Sequence, residues 1–156
     1  MKISHTADSL TTAGSRHLPR RLIVLGSTGS IGVNTLDVVK YSQERFVVLG
    51  LSAHASWEVL FEQARCHRPR WVVPTDPRAE ALADRPLLPL GTELLHGPEA
   101  IARIVGDPDV DIVVSAIVGS AGLVGTWEAL RAGKTIALAN KETLVMAGQI
   151  VTDTAR

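Results

Sequence analysis

The chain has 156 residues, enough for one ordinary domain with a core and too few for two, and 46% of them are hydrophobic. Sixteen Lys and Arg balance sixteen Asp and Glu, and aromatic residues make up 4%, so neither a global positive field nor base-stacking platforms point to nucleic acid. Cys66 is the one cysteine, which excludes an internal disulfide and a cysteine-based zinc site, and no apolar run reaches the ~18 residues of a membrane span.

Residues 1–20 lack the apolar stretch of a secretory signal and read as a flexible extension, leaving 21–156 as one domain. Residues 21–25 (Arg-Leu-Ile-Val-Leu) form the first strand, followed by Gly26, Gly29 and Gly32 and a helical segment over 31–41. A strand at 46–52, a helix at 56–67, a strand at 71–74 and a helical segment at 78–83 come next. Residues 84–91, with Pro86 and Pro89, read as an exposed connection into a weak strand at 93–95. A helix at 98–105 carries Pro98 and Glu99 in its first turn, where both are favourable. A strand at 111–117 and a helix at 123–132 follow, and Gly133 stands where a left-handed cap is needed. A strand at 135–139 leads into a last helical segment from 142 to about 155.

The strands are continuous apolar runs, as expected of strands covered on both faces in a parallel sheet. Their alternation with helices predicts right-handed crossovers and an α/β fold: Rossmann-like, doubly wound, a mainly parallel sheet with helices on both faces. Residues 149–156 still read as helix with no closing strand, so the sequence is expected to be the first domain of something longer.

The order strand, glycine turn, helix start is a diphosphate-binding arrangement, because free N–H groups at a helix N-terminus attract negative charge. Gly26 allows the turn off the strand, Gly29 removes a side chain where a diphosphate comes close, and Gly32 lets the helix pack on the strand. Ser27, Thr28 and Ser30 offer hydroxyl donors around the same anion site. A tight strand-to-helix turn would also use such glycines; the flanking strand and helix favour a nucleotide. The end of the second strand, Leu51 to Ser56, has no acid where an NAD site places one, which favours NADPH. It also has no Arg or Lys to hold a 2′-phosphate. His54 and Ser56 are its polar choices besides Ser52, and Ser56 reads equally as a helix N-cap.

Two later stretches carry chemistry. Residues 113–123 end a strand in small side chains, which leave room for a flat nicotinamide or serve close helix–strand packing. Asn140, Lys141 and Glu142 follow a strand, at the edge where open α/β sheets bind ligands. They suit a sugar or amide, an anionic substrate and a ribose respectively; Asn and Glu would equally cap a helix. Asp107, Asp109 and Asp111 read as a turn into a strand rather than a metal site, the histidines form no H-E-x-x-H pair, and Trp57, Trp71 and Trp127 read as packing residues.

Together, Leu25-Gly-Ser-Thr-Gly-Ser-Ile-Gly32, Thr35-Leu-Asp-Val-Val39, Ala116-Ile-Val-Gly119 with Ala121-Gly-Leu123, and Ala132-Gly-Lys-Thr135 running to Ala139-Asn-Lys-Glu142 resemble the 1-deoxy-D-xylulose 5-phosphate reductoisomerase family, in order, over about residues 20–156. The resemblance implies an NADPH-dependent oxidoreductase and isomerase of non-mevalonate isoprenoid precursor synthesis. Such enzymes rearrange a phosphorylated sugar, 1-deoxy-D-xylulose 5-phosphate, and reduce it to 2-C-methyl-D-erythritol 4-phosphate with the help of Mg or Mn. It implies that Thr28, Gly29, Ser30 and Ile31 hold the cofactor phosphates, that Asn140 and Glu142 contact NADPH, and that Lys141 contacts substrate. Some relatives have Gly-Lys-Asn where this chain has His54-Ala-Ser56, so Ser56 replaces the asparagine and the lysine is lost.

By the same resemblance the metal ligands, substrate-phosphate residues and flexible loop lie beyond Arg156. No catalytic or metal-ligating residue is therefore assigned here, and the chain is expected to bind cofactor without turnover. A cytoplasmic homodimer, with no nucleic-acid or membrane partner, completes the expectation. Two alternatives stand beside it. One is another NAD(P)-dependent dehydrogenase of the homoserine or semialdehyde type, the latter disfavoured because Cys66 lies on a predicted helix. The other is a non-catalytic nucleotide-binding or redox-sensing module.

Overall fold

The computed structural model describes residues 18–81, 88–139, 141, 145, 148 and 152–154. Six strands form one sheet: β1 (Arg20–Leu25), β2 (Phe46–Ala53), β3 (Trp71–Pro74), β4 (Glu93–Leu94), β5 (Ile112–Ser115) and β6 (Thr135–Leu138). Their spatial order is β4-β3-β2-β1-β5-β6, and every neighbouring pair is parallel. The chain thus winds outward from β1 to β4, returns to the other side of β1, and winds outward again. That reversal opens a crevice between the carboxyl ends of β1 and β5, the usual place for a ligand in such a sheet.

Among the described residues, α1 (Ser30–Lys40), α2 (Trp57–His67), α3 (Gly97–Val105) and α4 (Ala121–Arg131) cover the two faces. The alternation of side chains along β1 divides the core between them. Leu22 and Val24 join Leu36 and Val39 of α1 and Leu60, Phe61 and Ala64 of α2. Ile23 and Leu25 point the other way, to Ile101, Ile104 and Val105 of α3 and Ala129 of α4. Each of the Leu, Ile, Val and Phe side chains among them, fully buried, contributes about 1.5–3 kcal/mol relative to exposure. The doubly wound parallel sheet expected from the apolar runs is the one observed.

Three elements differ from expectation. The segment at 78–83 is a 3₁₀ turn, Pro77–Ala81, as far as it is described; Ala79 N–H bonds the carbonyl of Asp76 three residues back, the bond of a 3₁₀ winding with three residues per turn. β5 stops at Ser115 rather than at 117, because β1 turns away at Gly26 and leaves Ala116 N–H bonded to Leu25 O as the last rung. The expected β4 shrinks to two residues paired with Trp71 and Val72. Gly133 takes φ +67 just past α4, as expected of a left-handed cap. Of the last expected helix, 142 to about 155, Val145, Gly148 and Thr152–Thr154 are helical, as is Lys141 just before it, and its other residues lie outside the described set, as do residues 1–17 and 82–87.

The aspartates at 107–111 form a turn and a charge network. Asp107 accepts the N–H of Asp109 at 2.9 Å, and Asp111 accepts the N–H of Arg21 at 2.7 Å. The Arg21 guanidinium meets Asp109 at 2.6 Å. Among the described residues no group of three His, Cys, Asp or Glu is placed to hold a metal, and no helix is long and apolar enough to cross a membrane. Trp71 is buried, while Trp57 packs partly buried against the α1–α2 side of the core.

One buried polar contact ties β5 to α4. Thr126 Oγ1 donates to the carbonyl of Gly122 at 2.8 Å, so the 2.8 Å contact to Ser115 Oγ must use the serine's proton. Thr126→Val should therefore strand the Ser115 hydroxyl and cost about 1–3 kcal/mol in urea unfolding. Adding Ser115→Ala to Thr126→Val should recover most of that loss; a double variant as unstable as the single one would show that volume, not the hydrogen bond, matters there.

Candidate functional site

The site is built on the turn from β1 into α1. Gly26 takes φ +78, and a Cβ there would sit 2.9 Å from the carbonyl oxygen of Ala116. A Cβ on Gly32 would lie 2.3 Å from Gly26 O and 2.6 Å from Ser27 Cα. Both glycines are thus demanded by the fold. Gly29 is different: its φ is −76, it is exposed, and a Cβ would meet Gly26 O at an ordinary 3.5 Å. Nothing among the described residues requires glycine at position 29.

The turn is bolted to the next strand. Gly26 and Ser27 both donate to the carbonyl of Ser52, at 3.0 and 2.9 Å, and Ser52 Oγ is a further acceptor for Gly26 N–H at 3.3 Å. Ser27 departs from the expectation that it faces the anion. It is buried, its Oγ donates to Gln63 Oε1 at 2.7 Å, and Gln63 Nε2 returns a bond to Ser27 O at 2.9 Å. This reciprocal pair fastens the turn to α2, and no local pattern marks Gln63 for it.

What the turn presents outward is the bare start of α1. Gly29 is the cap residue, no side chain caps the helix, and its first turn holds no acid. The N–H groups of Ser30, Ile31 and Gly32 have no acceptor within the helix, and the dipole leaves this end partly positive. Ser30 and Ile31 are exposed and Thr28 is half-buried. Thr28, Gly29, Ser30 and Ile31 therefore lie together at one anion-ready edge, and they fit a diphosphate by chemistry and by the space Gly29 leaves.

A second polar group stands at the ends of β2 and β3. Thr75 N–H donates to Ala53 O at 2.9 Å, which brings residues 54–57 beside 75–78. His54 Nδ1 lies 3.2 Å from Thr75 Oγ1, and Trp57 Nε1 donates to His54 O at 2.9 Å. Ser56 occupies the N-cap position of α2, yet its side chain makes no capping bond and is exposed. The loop itself has no cation, as the sequence indicates, but the fold supplies one from outside it. Arg78 of the 3₁₀ turn lies with its guanidinium 6.0 Å from the Trp57 ring centroid. It is held by Asp76, whose Oδ2 accepts from Nη2 at 2.6 Å and from Nε at 3.0 Å. The bonds from Arg78, side chain first and backbone second, pull the Asp76 carboxyl down to about 2. Asp76 is 4% exposed while Arg78 is 76% exposed, so the pair is shallow, an arginine lying over its carboxylate.

At the carboxyl end of β5, Val118 is exposed and a Cβ on Gly119 would meet nothing within 4 Å, so this stretch leaves open space. Further on, Gly125 serves close packing: its Cβ would reach Leu25 Cδ1 at 2.7 Å. Lys141 is exposed and helical after β6, on the same carboxyl edge. Asn140 and Glu142 lie outside the described residues.

A family model described as 1-deoxy-D-xylulose 5-phosphate reductoisomerase matches residues 22–148. The 1-deoxy-D-xylulose 5-phosphate reductoisomerase of Cellvibrio japonicus is 46% identical over 136 residues, covering 86% of this chain and 34% of that protein. The Zymomonas mobilis reductoisomerase solved in complex with NADPH superposes with a TM-score of 0.77 at 38% identity, over 88% of this chain and 36% of that one. A reductoisomerase complex with NADPH, fosmidomycin and magnesium gives 0.78 at 38% identity, over 87% and 34%. The chain spans about a third of the length of the curated relatives it matches.

Two measurements check this geometry. Gly32→Ala should destabilise the protein by about 1–3 kcal/mol in urea unfolding, since backbone must move to admit the methyl. Gly29→Ala should leave stability unchanged or raise it by about 0.4–1 kcal/mol; an equal loss in both would mean that the turn needs all three glycines. For Asp76, the ordinary carboxyl value is 3.8 and the folded value about 2. A depressed carboxyl stabilises the fold above the unfolded value and loses that contribution as pH falls through the folded one. Wild-type and Asp76→Asn melting temperatures should therefore differ at pH 7 and converge between about pH 4 and pH 2; a pH-independent gap would refute the ionic origin.

Proposed function

The chain belongs to the 1-deoxy-D-xylulose 5-phosphate reductoisomerase family, and on that premise we propose that residues 21–156 are its NADPH-binding domain. The observation that carries this reading is Gly29, a glycine the fold does not need, set at the uncapped N-terminus of α1. A side chain there would occupy the place of a bound phosphate group.

In this reading the N–H groups of Ser30 and Ile31 and the hydroxyls of Thr28 and Ser30 hold the cofactor diphosphate against Gly29, whose own N–H is taken by Gly26 O. The exposed Ile31 side chain shields one side of it from water and so strengthens those bonds. Ser56 and its neighbours receive the adenosine end. The open stretch at Val118 and Gly119 leaves room for the nicotinamide, with Asn140 and Glu142 contacting NADPH beside it. Lys141 faces the phosphorylated sugar. When bound, NADPH supplies the hydride that reduces the rearranged sugar of 1-deoxy-D-xylulose 5-phosphate to 2-C-methyl-D-erythritol 4-phosphate, on the path to isoprenoid precursors. This chain orients the two partners. The Mg or Mn that activates substrate oxygens is held outside residues 21–156 in this reading, as the family resemblance implies. The whole enzyme is read as a cytoplasmic homodimer.

The test is titration of the chain with NADPH and with NADH, followed by nucleotide fluorescence. Saturable binding that favours NADPH is expected. Gly29→Ala should weaken it about tenfold or more, equivalent to about 1.4 kcal/mol, in a protein that stays folded. A folded wild-type chain that binds neither nucleotide overturns the reading.

A further inference from the structure

We propose that Arg78 is the residue that recognises the 2′-phosphate of the cofactor and so sets the preference for NADPH over NADH; the inference rests on the cofactor reading above. A dinucleotide laid across the start of α1 places its adenosine ribose at the carboxyl end of β2, where an acid accepts ribose hydroxyls or a nearby arginine accommodates a 2′-phosphate. Here β2 ends in Ala53, and the turn that follows, His54-Ala-Ser56, offers neither an acid nor a permanent cation. The pairing of Ala53 with Pro74 brings the end of β3 alongside it. The chain therefore delivers Arg78 to that turn from a segment more than twenty residues away in sequence.

The arginine is prepared for a ligand. Asp76 Oδ1 and Oδ2 take its Nε, at 3.1 and 3.0 Å, and Oδ2 takes Nη2 at 2.6 Å. Asp76 Oδ1 also accepts the backbone N–H of Arg78 at 2.9 Å, which locks the carboxylate in turn. None of these bonds uses Nη1. The guanidinium is thus fixed along one edge while its other edge stays available, and its side chain is 76% exposed. Trp57, held by His54 O, stands beneath it. An ion pair that served stability alone would not need the cation laid open at a ligand-binding edge. A guanidinium pre-positioned in this way suits phosphate well, because little side-chain freedom remains to be lost on binding. Asp76 acts as a positioning residue: it neutralises part of the charge but fixes the plane. Ser56, with its hydroxyl released from capping, is the neighbouring neutral donor.

The experiment compares affinities of wild type, Arg78→Ala and Arg78→Lys for NADPH and NADH, with circular dichroism confirming the fold. Arg78→Ala should lose about tenfold or more in NADPH affinity while NADH affinity stays within about twofold. Arg78→Lys should fall between them, as a charge without the fork. If Arg78→Ala strands the Asp76 carboxylate and fails to fold, the pair Asp76→Asn with Arg78→Ala carries the same test with no charge left alone. An equal loss for both cofactors, or no loss for either, overturns the role of Arg78 while leaving the cofactor reading intact. Wild-type protein that binds the two cofactors equally does the same. Wild-type protein that binds neither overturns the cofactor reading and this inference with it.

Discussion

One carbonyl oxygen, that of Gly26, constrains the whole carboxyl edge of the sheet. It accepts the N–H of Gly29 at 3.2 Å and lies 2.3 Å from where a Cβ on Gly32 would stand. The turn can close that tightly only if residue 32 has no side chain, and only if residue 26 takes a positive φ. With both conditions met, α1 begins directly above the end of β1 and its first N–H groups open toward the crevice. The bolts from Ser52 and Gln63 hold the turn so that those groups cannot drift. The anion-ready edge is therefore a by-product of close backbone packing, and Gly29 is the one glycine of the three that the turn does not itself require.

Much of this was legible in the residues. Val24, Leu51, Val72 and Val113 lie in unbroken apolar runs, which is what a strand covered on both faces requires, and the sheet follows from them. The three glycines announced a turn with a helix behind it. The sequence resemblance likewise pointed to the family that the comparisons support. Local pattern was blind to partners that meet only in space. Ser27 looked like a ligand hydroxyl because it sits among hydroxyls in the glycine turn; its attachment to Gln63 depends on how α2 crosses the sheet. Arg78 stood at the start of an expected helical segment with nothing to single it out; its place beside Trp57 depends on β2 and β3 lying side by side. The end of β5 was misjudged for a related reason. Ala116 and Ile117 have strand-like side chains, but the partner strand had already turned away.

The two ends of the sheet divide charge between them. At the amino end Arg21 and Arg70 meet Asp107, Asp109 and Asp111 in a network that satisfies itself, and Arg70 also stacks 4.5 Å from the Trp71 ring centroid. Such exposed pairs contribute little individually, but they leave this end with no strong pull on a charged ligand. At the carboxyl end the pairing is incomplete by comparison. The start of α1 has no acid, Ser56 caps nothing, and Arg78 keeps one edge open. A neutral protein thereby keeps a bare helix start and an open guanidinium edge at this end, which suits a phosphate-bearing small molecule better than a polyanion.

The strand order also has a consequence in time. β1 meets β2 across fewer than thirty residues, as in the pairing of Leu25 with Ser52, so the glycine turn and its bolts can assemble from a contiguous stretch. β1 meets β5 across a separation of 90 residues, as in the Arg21–Asp111 contact, and the crevice does not exist until that pairing closes. Long-range closure loses chain entropy before contacts reward it, and it sets the pace in parallel sheets. One wall of the binding cleft is thus local in the chain and quick to form, while the other waits on the slowest step in the folding of the sheet.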